Sequence, residues 1–428
     1  MDFDTTSDTF WDPEDLGGKL RQVYDVCHGC RRCLNLCPSF NVMFDRIDAS
    51  PSGEVDGLAP ADYRRIEDVC YQCKLCYNHC PYTPPHRFDI DFPRLMLRAK
   101  AVRARAEGIP LGDRLLADPD RTGRLAAAGG GLASWGAGTR LGRVVMEKVL
   151  GIHRDFPAPR FVSETFDKWF SKKHGAAAKP ASPARGKVAL FYTCSVNYNR
   201  PETGRASVAI LTRNGQEVAC PKQVCCGMPA LDGGDIEAFQ KNARENLAHL
   251  APLVDAGYAI VSPGPTCSYV LKKDYPAMVQ GEDAEKVAAN TFDIGEYLVK
   301  VAREGGGIDT GFVKPQGKIA YHLPCHLKSQ NIGFRSKQLL EMIPGTEVKM
   351  IEACSGIDGT WGMKKEFNDL ALQVAKPLFE SVKEAQPDRV VTDCPLAGLQ
   401  IERGTGHKTS HPAEVLRDAY GLNDEDTV

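Results

Sequence analysis

Apolar residues follow two rhythms along the chain, and the change between them falls near residue 186. In the first stretch Leu16, Leu20, Val23 and Tyr24 recur at helical spacing, which predicts a helix within residues 1–25. Pro60–Val69 reads as another, with Pro60 suited to a first turn and Asp62 to the positive end of the helix dipole. Pro93–Glu107 is a third, apolar at Leu95, Leu97 and Val102 and cationic at Arg94, Arg98, Lys100, Arg103 and Arg105. Such a charged face is either solvated or a docking surface for an acidic partner or lipid head groups. Leu141–Leu150 is amphipathic, and Trp135, Val144, Val145, Met146, Val149 and Leu150 are expected to pack into a core, with docking to a partner or membrane as the alternative. Ser171–Gly186, rich in Ala, Lys, Pro and Ser, has linker composition and predicts a boundary.

From Gly186 short apolar strands alternate with helical patterns, the signature of α/β units. Val188–Tyr192, Ala259–Ser262, Ile319–Tyr321 and Val390–Thr392 read as strands. This half also repeats itself. Gly186–Cys194 matches Gly317–Cys325, Val224–Gly227 matches Ala353–Gly356, and Tyr258–Cys267 matches Asp388–Ala397, at offsets of 131, 129 and 130. One unit is therefore used twice. The predicted organisation is 1–107 helical, 108–185 helical connector and linker, 186–310 first repeat and 311–428 second repeat. Gly305-Gly306-Gly307 reads as a loop, and no G-x-G-x-x-G follows a strand to mark a dinucleotide site.

Bulk composition narrows the functions. Charged residues make up 25% and hydrophobic residues 43% of 428 residues, as in ordinary globular proteins. A net charge of −2 excludes nucleic acid as the expected partner, since no basic excess exists to neutralise phosphates. The acidic start, Met1 to Asp8, has no apolar h-region, and no run reaches the ~18 apolar residues of a membrane helix. The expected location is cytoplasmic, with any membrane contact peripheral and at the inner face.

The 16 cysteines carry the chemistry. Cys27-His-Gly-Cys30-Arg-Arg-Cys33-Leu-Asn-Leu-Cys37-Pro38 has the ligand spacing of bacterial-type ferredoxins, and it recurs as Cys70, Cys73, Cys76, Cys80 and Pro81. Thiols every third residue wrap one [4Fe–4S] cube, and the fourth cysteine points away to the other cube. The expected ligand sets are therefore Cys27, Cys30, Cys33 and Cys80 for one cluster, and Cys70, Cys73, Cys76 and Cys37 for the second. Zinc sites favour paired C-x-x-C elements without a C-P tail. In the duplicated half the cysteines fall where strands end, the place where α/β sheets build their sites. The first repeat offers Cys194, Cys225, Cys226 and Cys267 for a third cluster. The second offers Cys325, Cys354 and Cys394, with Ser355 in place of a paired cysteine, and Cys220 reads as an ordinary buried thiol. His322 and His326 flank Cys325 and are candidates for tuning a cluster, moving a proton or capping backbone. His28 and His79 are expected in the hydrogen-bond shell of the ferredoxin-type clusters, and Asp358 and Lys364–Glu366 among solvated polar residues.

The Cys225-Cys-Gly unit and its neighbours, with Tyr321-His-Leu-Pro-Cys-His, Gly356-Ile-Asp-Gly-Thr-Trp-Gly and Val391-Thr-Asp-Cys, resemble the cysteine-rich (CCG) domains of heterodisulfide-reductase-related iron–sulfur proteins. The order of parts resembles the iron–sulfur subunit of anaerobic glycerol-3-phosphate dehydrogenases. Val26–Cys33 and Asp91–Ala101 resemble a branch often encoded beside rubrerythrin. The resemblance implies an α + α/β fold: an α-helical ferredoxin domain with two [4Fe–4S] clusters, then two tandem α/β cysteine-rich repeats. The chain departs from the family pattern at Gly264, Ser355 and Ala397. The implied function is that of an iron–sulfur electron-transfer oxidoreductase subunit. It would relay electrons between a redox partner (a flavoprotein dehydrogenase subunit or rubrerythrin-like protein) and an acceptor such as quinone or a disulfide. The alternatives are cluster-based disulfide reduction, with Cys325, Cys354, Cys394, His322 and His326 as catalytic candidates, and a zinc or structural scaffold.

Overall fold

The computed structural model describes residues 3–157, 160–304 and 307–423; Gly305 and Gly306 of the expected glycine loop lie outside them. Among the described residues up to Glu107 the chain is helical and contains no strand. Asp12 caps the helix Pro13–Cys30, its carboxylate accepting from the backbone of Glu14 and Asp15, and Leu16, Leu20, Val23 and Tyr24 form its buried stripe. This helix runs past its expected end and takes in Cys27 and Cys30. The ligand run is therefore half helix, and three-residue spacing in a helix keeps both thiols on one face. Arg31, left-handed at φ 49°, ends the helix. Cys37 is the extended N-cap of Pro38–Asp48, where Pro38 occupies the first turn because its missing N–H costs nothing there. Pro60–Asp68, Leu75–His79 and Phe92–Glu107 complete the bundle around Tyr24, Phe40, Phe44, Ile66, Phe92 and Met96.

The cationic helix is less solvated than its charges suggest: Arg98 is buried, most of the other charges are half-buried and engaged within the molecule, and Arg105 is exposed. Arg98 is 5% exposed, donates to the carbonyls of Phe10 and Thr9 and pairs with Asp15. Lys100 donates to the Cys70 carbonyl at 3.0 Å, and Arg103 pairs with Glu67 and Asp68. Arg105 stacks over Trp11.

The connector holds the helices Leu111–Ala117, Pro119–Ala128, Gly131–Gly138, Arg140–Leu150 and Phe166–His174. Only one flank of Arg140–Leu150 packs as expected: Met146 and Leu150 lean on Ile152, Phe156, Ile357 and Met363. Leu141, Val145 and Val149, spaced by four, and Trp135 remain exposed, because the helix lies at the margin with a single stripe toward the second repeat. The expected linker is also structured. Residues to His174 finish a helix that buries Trp169 and Phe170, and Ala177–Ala178 form a strand.

Among the described residues nine strands follow in order: β1 (Ala177–Ala178), β2 (Gly186–Leu190), β3 (Gln216–Ala219), β4 (Tyr258–Ser262), β5 (Thr291–Asp293), β6 (Gly317–His322), β7 (Thr346–Ile351), β8 (Arg389–Thr392) and β9 (Thr409–Ser410). They form two sheets, β1-β3-β2-β4-β5 and β7-β6-β8-β9. All pairings are parallel except β1 on β3, where Ala177 faces Ala219. Without β1 the two orders are the same, so the repeat seen in sequence is a repeat of topology. The sheets share one core: Val188, Leu190 and Val261 of the first pack in the same cluster as Ile319, Tyr321 and Val391 of the second. Among the described residues no helix is long and apolar enough to cross a membrane.

Candidate functional site

The cysteines of the two N-terminal runs gather into two neighbouring groups. Cys27 lies within electrostatic reach of Cys33, Cys80 and Cys30, Cys33 of Cys80 and Cys30, and Cys80 of Cys30. Cys37 lies beside Cys70, Cys73 beside Cys37 and Cys70, and Cys76 beside all three. The crossing has a local cause. Helix-starting Pro38 holds Cys37 in extended conformation, so its side chain turns away from its own run. Cys76 also feels Cys33, which makes the two sets neighbours. Cys37, Cys70, Cys73 and Cys76 line a small cavity that Leu36, Phe40, Phe92 and Pro93 help close.

The donor sets fit iron–sulfur clusters. Each is four thiols in a mostly apolar setting. Burial, with the neighbouring Cys70 adding to it, pushes the Cys37 thiol up to about 12, so the set calls for positive charge before it can ionise. A single zinc would draw its sulfurs to about 2.3 Å from one point. Among the described residues no group of three or more His, Cys, Asp or Glu is arranged to hold a single metal ion.

In each repeat the thiols follow the carboxyl ends of three adjacent strands, β3-β2-β4 in the first and β7-β6-β8 in the second. After β2 comes Cys194 at the start of a short helix, after β3 come Cys225 and Cys226, and after β4 comes Cys267. The four form a chain of contacts: Cys194 with Cys225, Cys225 with Cys226, and Cys226 with Cys267 at 3.4 Å. Cys220 stays apart, packed against the common core. In the second repeat Cys325 follows β6, Cys354 follows β7 and Cys394 follows β8, and Cys325 lies within reach of the other two. Ser355 is buried. The two groups approach each other through Cys267 and Cys394.

The second-repeat thiols adjoin the helical part directly. The Tyr71 hydroxyl is 3.5 Å from Cys354 Sγ, and Cys73 lies within reach of both Cys354 and Cys325. Trp361 donates to the Asp68 carbonyl at 2.8 Å, stacks on Phe367 and leans on Tyr71. Asn78 donates to the Ser329 carbonyl at 3.0 Å. His326 bridges three parts, with Nε2 2.9 Å from the Gln72 carbonyl and Nδ1 2.9 Å from Thr266 Oγ1. His322 lies between Thr392 Oγ1 and the Ala353 carbonyl, and burial pushes it down to about 4. Both histidines thus bond backbone carbonyls.

Three expectations change here. His28 turns to Asp48 and Arg31, and His79 to the Arg32 carbonyl; among the described residues neither is hydrogen-bonded to a sulfur. Asp358 is not solvated: its side chain is 8% exposed and 3.8 Å from His326. Lys364 pairs with Asp113 at 2.8 Å.

Several residues at the sites escaped sequence reasoning. Asp120 of the connector accepts from the Cys225 backbone N–H at 2.5 Å. Asn246, fully buried in the helix Ile236–Asp255, accepts from Val224 N and reaches the Val224 carbonyl and the Tyr275 hydroxyl, so it ties down the Cys225–Cys226 loop. Lys74, inside the second ligand run, is left-handed and 4% exposed, its ammonium 2.6 Å from Gln72 Oε1. A polar residue inside a ligand run carries no sequence signal of burial.

Comparison with known proteins agrees with this geometry. The cysteine-rich domain family, CCG, matches residues 188–272 and again 319–402, and the Fer4-like domain of citrate utilization protein B matches residues 20–107. The anaerobic glycerol-3-phosphate dehydrogenase of Escherichia coli (strain K12) has a subunit that is 30% identical over 282 residues, 65% of this chain and 69% of that one. Lactate utilization protein A of Geobacillus thermodenitrificans (strain NG80-2) is 32% identical over 247 residues, 54% of this chain and 98% of that one. The fumarate reductase (CoM/CoB) of Methanothermobacter marburgensis has a subunit that is 31% identical over 244 residues, 55% of this chain and 45% of that one. With a helical Fer4-like domain ahead of two CCG repeats, the chain belongs to the CCG-domain iron–sulfur family that includes the matching subunit of anaerobic glycerol-3-phosphate dehydrogenase.

Proposed function

We propose that the chain is the electron-relay subunit of an oxidoreductase. Cys27, Cys30, Cys33 and Cys80 would hold one [4Fe–4S] cluster, Cys37, Cys70, Cys73 and Cys76 a second, and Cys194, Cys225, Cys226 and Cys267 a third. Such clusters, when bound, take up and release single electrons at potentials set by their surroundings. The chain's own part is to hold the sets close together, keep water from the buried ones and offer an approach for a partner. The single observation that carries this reading is the crossing of the two runs, with Cys37 beside Cys70 and Cys80 beside Cys27. The donor in this reading is a flavoprotein dehydrogenase subunit or a rubrerythrin-like protein, since relatives are subunits of dehydrogenases and reductases. The acceptor is a quinone or a disulfide, met in the cytoplasm or at the inner face of the membrane. The domain limits 1–107, 108–185, 186–310 and 311–428 belong to the same proposal.

A second reading has an observation of its own. Cys325 and Cys354 lie against the Cys73 set with Cys394 beside Cys325, and an incomplete thiol site beside an electron source is where a disulfide could be reduced.

Anaerobic iron and acid-labile sulfide analysis with EPR tests the relay. About twelve irons are expected, falling to about eight in Cys225→Ser with one signal lost. About eight irons in both proteins would remove the third cluster and leave two. Zinc in place of iron and sulfide would end the relay reading.

A further inference from the structure

Buried charge gathers where the helical part meets both repeats. Asp232 and Asp274 come from the first repeat and Asp358 from the second. All three face Lys74, and Asp232 and Asp358 also face Lys100. His326 faces Asp232 and Asp274 and lies 3.8 Å from Asp358. A cavity of about 620 Å³ reaches this point, and its lining includes Asp232, Asp358, Lys100, Tyr71 and Gln72. Tyr71 and Gln72 are the two residues between Cys70 and Cys73, so the cavity ends at the ligand loop of the second thiol set. Asp232 is partly exposed as a residue, yet its Oδ1 is enclosed and has no hydrogen-bond partner. An unpartnered buried carboxyl oxygen is costly unless it carries or receives a proton.

Resting on the relay reading, we infer that Asp232 and Asp358 form a proton-uptake site coupled to reduction at the Cys37–Cys70–Cys73–Cys76 set, with the cavity as the inlet from water. Burial pushes both carboxyls up to about 7, the charge of Asp358 adds to this at Asp232, and Lys100 and Lys74 oppose it. Asp358 also feels the thiols of Cys70, Cys325, Cys354 and Cys394. Among the described residues neither carboxyl is hydrogen-bonded to a cysteine. An electron added nearby is poorly screened at a buried site, so it raises the proton affinity of a carboxyl poised to switch. The step balances: one electron arrives from a one-electron reductant such as dithionite, which is oxidised, and one proton arrives from water. A carboxyl O–H bond forms and no bond in the chain breaks. Arg65, Arg103, Asp235, Lys364 and Glu366 at the cavity wall face the same inlet. Glu67, also pushed up to about 7 by burial, is held by Arg103 and serves as a control.

EPR-monitored redox titration of the iron-loaded protein between about pH 6 and 9 tests the coupling. Below about pH 7 the pair is protonated in both redox states, so the midpoint stays level. Above it the midpoint falls, by up to ~59 mV for each tenfold drop in proton concentration. Asp232→Asn/Asp358→Asn is expected to flatten the slope with iron content unchanged, while Glu67→Gln keeps it. Should the double variant lose iron, a pH-indicator dye reads the wild type directly, with about one proton taken up per electron above pH 7. A level midpoint in the wild type, or an unchanged slope in the double variant, overturns the coupling and leaves the relay intact. Absence of a cluster at the Cys37 set overturns both.

Discussion

The two cysteine-rich repeats share a strand order and a turn, yet face different neighbours. In the first, the Gly227 N–H points at Cys225 Sγ, 3.5 Å away; in the second, the Gly356 N–H points at Cys354 Sγ, 3.3 Å away. Both glycines are left-handed, at φ +93° and +64°, and a Cβ at Gly356 would lie 2.2 Å from the Ala371 carbonyl. The turn that delivers the thiol is thus the same device. What differs is the company. The first repeat encloses Cys225, Cys226 and Cys267, each under a tenth exposed, beneath Asp120 of the connector. The second has Ser355 in place of a paired cysteine, and it touches the helical part through Tyr71, Gln72 and Asp68. A duplicated unit lets one copy keep four thiols together while the other becomes the seat of the helical part.

The largest effect that bears on this contrast is expected from Cys73→Ser. Cys73 stands in the second thiol set and beside Cys354 and Cys325 of the second repeat. Iron should fall by about four per chain, with the EPR signal that depends on Cys225 unchanged. Loss of both signals would break the claim that the first repeat holds its site independently.

Trp361→Ala should rank next. The indole is 7% exposed, stacked on Phe367, and bonded to the Asp68 carbonyl, so it spans the seam between second repeat and helical part. Truncating a buried Trp costs about 3–5 kcal/mol, and here the loss falls on one interface. Limited proteolysis should release the helical part first, while the Cys225-dependent EPR signal survives. Uniform unfolding of all parts would mean that the seam is not a separate unit of stability.

These contacts mark the limit of what the chain discloses on reading. Ligand thiols need short, fixed spacings, so Cys27 to Cys37 and Cys70 to Cys80 are plain in one dimension. Strand-end cysteines are nearly as plain, because a parallel strand is a short apolar run with its site just beyond. Charges resist such reading. Arg98 and Lys100 look like a solvated face, yet Arg98 is buried and Lys100 half-buried, because their partners are carbonyls of Phe10 and Cys70 that no pattern marks. Asp232 and Asp358 meet from different repeats, and Lys74 meets them from a third part. Composition misleads at Ala177–Ala178 too, where small residues make an edge strand and not a linker. The exposed stripe Leu141, Val145 and Val149 carries the period of a core helix but lacks a covering neighbour.

His322 sharpens the comparison through pH. It holds Thr392 and the Ala353 carbonyl next to Cys354, and burial lowers it from 6.5 to about 4. A depressed folded value means that the unfolded chain binds the extra proton first. The contribution of neutral His322 is complete above about pH 6.5 and is lost as pH falls toward 4. The loss amounts to about 3 kcal/mol over that window. Denaturant unfolding of wild type should therefore weaken between pH 6.5 and 4 more than that of His322→Gln. Equal pH slopes would show that the second repeat is not braced by this neutral imidazole.

Asn246→Ala gives the smallest and most local effect. Asn246 does for the first repeat what His322 does for the second: it holds the backbone just ahead of the strand-end thiol, at Val224 in one case and Ala353 in the other. Alanine would leave the Val224 N–H and carbonyl without this partner, a cost of about 1–3 kcal/mol. Because Asn246 also reaches the Tyr275 hydroxyl, which donates to the Cys226 carbonyl at 3.2 Å, the slack passes to both paired cysteines. Hydrogen exchange should quicken at Val224–Gly227 and stay unchanged at Ala353–Gly356. Since the two loops follow equivalent strands of sheets that share one core, a change in both would mean that the repeats are coupled through Val188 and Ile319. A change in the first alone would show that each copy of the turn is braced by its own helix or imidazole.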